Sequence, residues 1–304
     1  MSLLDRLPSG SRIAVIRLRS LGDCVLSTPA LSLLKQHRPD LKISVIVEPR
    51  FAEIFADNPD IDETRESMTR ADLVLNLHGG TRSMVLAALS RAKMRAGFAH
   101  HRYSFVYNHK IPTAQEILGV SRRVHTAEHL ASAMFWLGVP KQQIPRAKLF
   151  ADPAPDRRSY AVIHPFASAS GKAWPAARFI EIARNLSLEP VFLAGPIDDL
   201  EPFRDFQTSR ESLKVTKSLL SGASLFIGND SGPAHIAAAF GIPVVVLFGP
   251  SDPVTWSPWR TESQVLTAPQ ISEITTAQVL AAIESFTALP SRDHRERRLE
   301  KARP

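Results

Sequence analysis

The sequence has few of the features that mark secreted or membrane-spanning proteins. Its 304 residues include one cysteine, Cys24, which excludes an internal disulfide. No apolar run approaches the roughly 20 residues of a transmembrane helix. The N-terminal segment MSLLDRLPSG lacks the basic-then-apolar order of a signal peptide. We therefore predict a cytoplasmic protein.

The motifs of nucleic-acid-binding and P-loop proteins are absent as well. The formal charge of +7 favours an acidic partner, which could be nucleic acid, phosphorylated lipid or a nucleotide. No zinc-finger spacing or aromatic-basic RNA motif supports the first of these, so we expect no nucleic-acid partner. The G-x-x-x-x-G-K-[ST] spacing of a Walker loop does not occur.

The hydrophobic residues, 44% of the chain, are sufficient for two cores. Four aliphatic runs of strand length (13–18, 43–47, 73–77 and 244–248) indicate buried parallel strands, so we predict an α/β fold. A stretch rich in Pro, Lys, Arg and Asp, residues 140–158, is typical of an interdomain linker. We predict domains over residues 1–150 and 151–290, followed by a basic tail, 291–304, that cannot build a core.

One stretch, LFIGNDSGPAHIAAAFGIPVVVLF (225–248), has the pattern strand, polar turn, helix, strand. Asp230 or Ser231 could cap the helix, Gly232 allows close approach to the backbone, and Pro233 suits the first helical turn. The free N–H groups of such a helix start attract anions, and His235 could add a donor or a positive charge. The alternative is an ordinary βαβ corner with a well-capped helix.

A second strand–turn–helix unit opens the chain, with strand 13–18, turn RSLGD (19–23) and a helical pattern over 24–37. Asp23 at the helix start could serve the helix dipole, or it could face a ligand crevice and act as a base. After a further strand, Arg82 in the turn HGGTRS could meet an anionic group. The basic stretch 95–110 is expected to be a solvated face.

The second half contains two further turns at the ends of predicted strands. Strand 160–164 leads into PFASASGKAWP, a candidate phosphate loop with Lys172, in which Trp174 is expected to be a core anchor. Strand 190–194 ends at GPIDD (195–199), where an acidic residue could bind ribose hydroxyls.

Two other chemistries have partial motifs. His125 and His129 fit the H-x-x-E-H pattern of one zinc-peptidase class, but no third ligand is identifiable, and the segment has the pattern of an amphipathic helix. We therefore predict no metal site. Ser231 and His235 could form part of a hydrolase site, but the G-x-S-x-G elbow that would position such a serine is absent.

A set of motifs, taken in their order along the chain, resembles that of glycosyltransferase family 9, the lipopolysaccharide heptosyltransferases. The motifs are residues 19–23 with 28–31, 171–175, 230–235 and 248–253. The resemblance covers roughly residues 13–259, and D-S-G-P-x-H is its most specific part. It implies a GT-B fold, in which two Rossmann-like domains with parallel sheets face each other across a cleft. It also implies inverting transfer of a heptose, without an obligatory metal or other cofactor, from ADP-heptose to a hydroxyl of an anionic lipid-linked acceptor.

Carried over residue by residue, the resemblance implies Asp23 as catalytic base and Lys172 as a catalytic phosphate ligand. The implied donor-binding residues are Ser170, Lys172, Asp198, Asp230, Ser231, Gly232, Pro233 and His235. The implied acceptor-binding residues are Arg19, Ser20, Gly22 and Arg82. Ile197, Asp198 and Asp199 occupy a turn in which many family members carry a glutamate, which leaves the nucleotide preference open.

Several alternatives remain open at this point. Another GT-B chemistry, such as a sugar-nucleotide epimerase or a protein glycosyltransferase, would use the same fold, as would a non-catalytic nucleotide-sugar-binding protein. The basic tail allows peripheral contact with the inner-membrane surface. The sequence does not determine the oligomeric state.

Overall fold

The structure is a computed structural model that describes residues 1–152 and 159–287. The end of the predicted linker, 153–158, and the predicted basic tail, 291–304, lie outside the described residues. Within the described part, no helix combines the length and apolarity that crossing a membrane requires.

In residues 1–152 and 159–287, twelve strands form two separate sheets. The first sheet contains β1 Arg12–Ile16, β2 Lys42–Ile46, β3 Glu63–Arg65, β4 Leu73–Asn76, β5 Met94–Phe98 and β6 His109–Ile111. The second contains β7 Tyr160–His164, β8 Glu189–Leu193, β9 Gln207–Ser209, β10 Leu225–Asn229, β11 Val244–Phe248 and β12 Ser263–Thr267.

Ten α-helices accompany the strands in this described part of the chain. They are α1 Leu21–His37, α2 Pro49–Ala52, α3 Thr81–Leu89, α4 Ala114–Leu118, α5 Thr126–Leu137, α6 Ala176–Asn185, α7 Leu213–Ser221, α8 Gly232–Ala239, α9 Pro253–Trp256 and α10 Thr276–Thr287. Short 3₁₀ turns include Glu53–Phe55, Ser104–Val106 and Ser170–Lys172.

Both sheets are parallel throughout and have the same topology. Their strand orders are β3-β2-β1-β4-β5-β6 and β9-β8-β7-β10-β11-β12. Each half therefore has the 3-2-1-4-5-6 order of a Rossmann fold, with a topological switch point beside β1 in one sheet and beside β7 in the other. The apolar, β-branched strands predicted from the sequence form the sheet centres, where β7, β10 and β11 are buried along their whole length.

The two halves share a hydrophobic core. One cluster combines Val15 and Leu75 of the first sheet with Val162 and Val244 of the second, and α1 packs directly on α8. The linker contributes to this cluster through Ile144 and Leu149, which are both buried. The described part of the predicted linker is therefore anchored to this core at single residues, while residues 140–143 are exposed.

Polar contacts join the halves at several points. The ammonium of Lys217 on α7 is 1% exposed and lies 3.0 Å from Oε1 of Glu53, and it donates to the Glu53 carbonyl at 2.6 Å. The Trp259 indole donates to the Pro145 carbonyl at 2.9 Å, and Arg123 pairs with Asp252 at 2.9 Å. These contacts connect the two halves in the structure.

Candidate active site

The predicted site residues follow the strands that flank the two switch points. Asp23 and Arg82 lie in the segments after β1 and β4, while Lys172 and Ser231 lie in those after β7 and β10. Ligands of open α/β sheets bind beyond the carboxyl ends of such strands. The topology therefore places the sequence-predicted residues at the two positions where a ligand is expected.

The turn between β1 and α1 fixes the carboxylate of Asp23. Ser20 is the N-cap of α1, its hydroxyl donates to Oδ2 of Asp23 at 2.8 Å, and the pair forms a capping box. Asp23 also forms an ion pair with Arg17, and its side chain is 21% exposed. The carboxylate is thus held at the helix start with part of its surface accessible.

The partner of this carboxylate is buried. Arg17 is 6% exposed and donates to the Leu77 carbonyl at 2.6 Å, while its Nε has no hydrogen-bond partner. Burial lowers the pKa of Arg17 to about 10, so the guanidinium stays charged at neutral pH. It also raises the pKa of the adjacent Cys24 thiol to about 12, which keeps that cysteine un-ionised. Arg17, which the sequence analysis did not identify, therefore positions Asp23.

The turn between β10 and α8 is built differently. Ser231 is the N-cap of α8 but makes no side-chain capping hydrogen bond. Its hydroxyl instead lies 3.1 Å from Nδ1 of His164, a residue whose pKa burial lowers to about 4. Ser231 therefore occupies the N-cap position, as the sequence allowed, but its side chain gives the first N–H groups of α8 no hydrogen-bond acceptor.

His235 lies in the interior of the molecule. It is 4% exposed, its Nδ1 has no hydrogen-bond partner, and its ring lies 6.4 Å from that of Trp256. Burial lowers the pKa of His235 to about 3, so the ring is neutral at physiological pH. The burial of this ring disfavours the positive charge that the sequence suggested for it. A hydrogen-bonding contribution stays a prediction.

Lys172 meets the same turn from the segment after β7. Its Nζ lies 3.4 Å from Oδ2 of Asp230, and the two side chains are 34% and 11% exposed. Trp174 anchors this segment, because its ring is 1% exposed, its Nε1 donates to the Ile274 carbonyl at 2.8 Å and its backbone N–H donates to Asn229 at 3.1 Å. The prediction that Trp174 is a core anchor is confirmed.

The two helix starts touch across the interface between the sheets. A Cβ added to Gly22 would lie 2.5 Å from Cδ2 of His235, and one added to Gly232 would lie 2.6 Å from Cδ2 of Leu21. Both glycines are therefore needed for the close approach of α1 to α8. The contact brings the segment that carries Asp23 against the segment that carries Ser231.

Two other predicted residues have contacts within their own halves. The Asp198 carboxylate accepts the Gly195 N–H at 2.7 Å and so closes its own turn. Arg82 is largely exposed and lies 3.2 Å from Oε1 of Glu48. Of the remaining predicted residues, Arg19, Ser20 and Ser170 are exposed, so that a ligand could reach them.

The two histidines of the H-x-x-E-H segment make structural contacts. His125 is the N-cap of α5, accepts the Ala127 N–H at 3.1 Å and stacks on Trp259 with the ring centroids 4.7 Å apart. His129 stacks on Phe98 at 4.1 Å. Across residues 1–152 and 159–287, no group of three or more His, Cys, Asp or Glu side chains is arranged to hold a metal ion.

A cavity of about 350 Å³ that the sequence does not predict lies between the first half and α9. It is lined by His100, Thr113, Ala114, Gln115, Val124, Thr126, His129 and Thr255. The His129 and His101 rings are held neutral, since burial lowers the pKa of each to about 4. His100, which follows β5, lines this cavity, whereas we expected residues 95–110 to be a solvated face. That expectation holds only in part, because Arg102 and Lys110 are exposed but Phe98 of β5 and Ile111 of β6 are buried.

The two matching Rossmann sheets, joined with their ligand-binding edges in contact, define the GT-B class of glycosyltransferase folds. Residues 65–281 match the model of glycosyltransferase family 9 (heptosyltransferase). This match spans more than half of the chain, and the chain therefore belongs to that family.

Individual relatives agree with the assignment. The chain is 28% identical to lipopolysaccharide heptosyltransferase 3 of Escherichia coli, over 78% of this chain and 83% of that protein. Its fold is similar to that of E. coli heptosyltransferase WaaC solved with ADP, with a TM-score of 0.76, 19% identity and coverage of 90% of this chain and 99% of that one. The iron-containing dodecameric glycosyltransferase TibC of E. coli is a further structural neighbour, with a TM-score of 0.63, 17% identity and coverage of 93% and 80%.

Proposed function

We propose that this protein transfers a heptose from ADP-heptose to a hydroxyl of a lipopolysaccharide core acceptor, with inversion at the anomeric carbon. The observation that carries the proposal is the contact between the two helix starts, in which the segment of Asp23 meets the uncapped start of α8. Family membership and the names of the relatives support heptose as the sugar. The ADP bound to WaaC supports adenosine diphosphate as the carrier.

In this proposal, Asp23 is the general base. The acceptor oxygen attacks the anomeric carbon, its proton passes to the Asp23 carboxylate, and the bond from that carbon to the diphosphate oxygen breaks on the opposite face. Arg17 and Ser20 hold the carboxylate in place through the ion pair and the hydrogen bond described above. Arg19, Ser20, Gly22 and Arg82 would contact the anionic lipid-linked acceptor on the side formed by residues 1–150.

The second half, residues 151–290, would hold the donor. The leaving diphosphate gains negative charge, which the Lys172 ammonium and the positive end of the α8 dipole, where Ser231 makes no side-chain capping hydrogen bond, can stabilise. Asp230 positions Lys172 through their 3.4 Å contact. Ser170, Ser231, Gly232, Pro233 and His235 would shape the sugar and diphosphate site, and Asp198 would lie toward the ribose. Operation without a metal or other cofactor stays part of the proposal.

The test is a transfer assay with the full chain. The protein is incubated with ADP-heptose and with heptose-deficient core lipopolysaccharide, and both ADP release and the mass of the acceptor are measured. We expect ADP release that depends on acceptor, with a mass increase of one heptose and no loss of rate in EDTA. Donor consumption without acceptor would instead indicate an epimerase or hydrolase. Thermal stabilisation by ADP-heptose without any transfer would indicate a binding protein.

A further inference from the structure

An apolar patch lies on the first half of the molecule, away from the shared core. It consists of Val85 and Leu89 on α3 with Tyr103 and Phe105 at the 3₁₀ turn Ser104–Val106, and α3 packs against that turn. Leu89 is 73% exposed and Phe105 is 74% exposed. Three of the seven large hydrophobic side chains exposed in the described residues thus belong to two adjacent elements.

The patch is not a by-product of poor packing. The other face of α3 is well buried, with Ala87 in a cluster that includes Ala92 and Tyr107. Val85 and Leu89 are four residues apart and so share the outward face of the helix. The rings of Tyr103 and Phe105 meet edge to face at 6.3 Å, which extends this apolar surface.

The charge around the patch is positive. Between Asp72 and Glu116 the sequence contains no acidic residue, whereas it contains six Lys and Arg: Arg82, Arg91, Lys93, Arg95, Arg102 and Lys110. The Arg102 guanidinium lies 5.4 Å from the centre of the Tyr103 ring. Arg91, Lys93 and Arg102 are exposed, and the described structure records no ion pair for them. The Glu48 carboxylate, which pairs with Arg82 of α3, is also paired with Arg50.

We propose that the apolar patch is a docking surface for an anionic phospholipid bilayer. Interfacial binding needs an apolar face that enters the boundary between head groups and acyl chains, and cations that meet the lipid phosphates. Tyr103 and Phe105 supply aromatic side chains of the kind that favour this boundary. On the second half, the most exposed large hydrophobic side chain is Ile197, at 96%. In contrast to the patch, Ile197 is followed by two acidic residues, Asp198 and Asp199, which an anionic surface repels.

This inference depends on the composition of the patch and is independent of the transfer activity. Combined with the proposed function, it would place Arg82 and the other acceptor-side residues on a half that rests against the membrane in which the acceptor is anchored.

Sedimentation with vesicles tests the proposal. The full chain is mixed with phosphatidylglycerol–phosphatidylethanolamine vesicles and with pure phosphatidylcholine vesicles. The variants are Val85→Ser/Leu89→Ser/Phe105→Ser, Lys93→Glu/Arg102→Glu, and the control Ile197→Ser. We expect the wild type and Ile197→Ser to bind the anionic vesicles and both patch variants to bind at least about tenfold more weakly, since each cation near an anionic bilayer contributes roughly fivefold.

Wild-type affinity in both patch variants would overturn the proposal and would assign binding to another segment, such as the basic tail. Failure of the wild type to bind any vesicle would overturn it too, and would favour a protein partner for the patch. All variants keep the basic tail, so its contribution cancels in the comparison. Unfolding midpoints equal to that of the wild type will show that the variants are folded.

A fluorescent label that reports insertion into the bilayer provides a second test of the proposal. Cys24 is fully buried, so a cysteine added at an exposed position can be labelled selectively with an environment-sensitive fluorophore. We expect a blue shift with anionic vesicles for Leu89→Cys and none for Ile197→Cys. Equal shifts at both positions, or no shift at position 89, would overturn the proposed orientation.

Discussion

The starts of α1 and α8 have the same place in two sheets of the same topology, yet they are completed in opposite ways. At α1, Ser20 and Asp23 form a capping box and Arg17 neutralises the carboxylate. At α8, the N-cap Ser231 turns to His164 and provides no capping hydrogen bond. One helix start thus carries its own anion, whereas the other is free to accept an anion from a ligand.

In the proposed function, this difference gives each half a distinct chemical role. A carboxylate held at α1 would accept the proton of the acceptor, and the start of α8 would receive the diphosphate. A transferase needs both functions at one place, and the contact of Gly22 with His235 brings them together. Each of the following experiments removes one side of this comparison.

The largest effect is expected from Asp23→Asn. The amide keeps the shape of the capping side chain but cannot act as a base, so turnover should fall by roughly 10²- to 10⁴-fold while the protein stays folded. The control is Glu116→Gln, because Glu116 fills the same N3 position in the capping box of α4 with Thr113. Initial rates of ADP release measure the effect, and turnover near that of the wild type would contradict the base assignment.

On the donor side, Lys172→Ala should lower kcat/KM for ADP-heptose by roughly a hundredfold, since it removes one preorganised donor to the leaving group. Lys172→Arg should restore part of the rate because it keeps a positive charge. Lys214 is a suitable control, since it is exposed and pairs with Asp152 at 3.1 Å on the surface. Equal rates for Lys172→Ala and Lys214→Ala would remove Lys172 from the mechanism.

The contact between the helix starts can be tested by Gly232→Ala. The added methyl group would lie 2.6 Å from Cδ2 and 2.8 Å from Cβ of Leu21, so the free energy of unfolding should fall by about 1–3 kcal/mol. Gly171→Ala is the matched control, since no other atom lies within 4 Å of its added Cβ. Denaturant titration gives both values, and indistinguishable results would mean that α1 and α8 are further apart in solution.

The smallest effect concerns pH and the neutral histidines of the first half. Burial lowers the folded-state pKa of His129 from 6.5 to about 4, so the unfolded state takes up its proton first. The contribution of His129 to the free energy of unfolding is therefore fully present above about pH 6.5 and is lost as the pH falls toward 4.

His129→Gln should accordingly reduce the loss of stability between pH 7 and pH 5 by on the order of 1 kcal/mol. Urea titrations at the two pH values measure the difference. His37→Gln is the control, because His37 is exposed. The same pH dependence in the wild type and in His129→Gln would contradict the assigned burial effect.

The central part of the fold could be predicted from the sequence, and its edges could not. The α/β class and the GT-B architecture are confirmed, and the predicted strands 160–164 and 244–248 have the bounds observed for β7 and β11. These strands are apolar throughout because both of their faces are buried. Strands β3, β6 and β9 have three residues each at the sheet margins, too few to show a period.

The site was predictable where local pattern determines structure. The turns after β1, β7 and β10 follow directly from strand ends and helix starts, so the positions of Asp23, Lys172 and Ser231 in these turns could be predicted, while their roles stay a proposal. The burial and neutrality of His235 depend on the packing of α1 over α8, which is a contact between residues some two hundred positions apart. The role of Arg17 was hidden for a similar reason, because it lies within the segment predicted to be a buried strand.

The hydrophobic cluster that joins Val15 and Leu75 to Val162 and Val244 has a consequence for dissecting this protein. If the chain were cut in the linker, each half would expose apolar surface that the other now covers, together with the buried ammonium of Lys217. We therefore expect the halves to be insoluble when expressed separately, to recover when co-expressed, and to melt in the intact chain as a single cooperative unit.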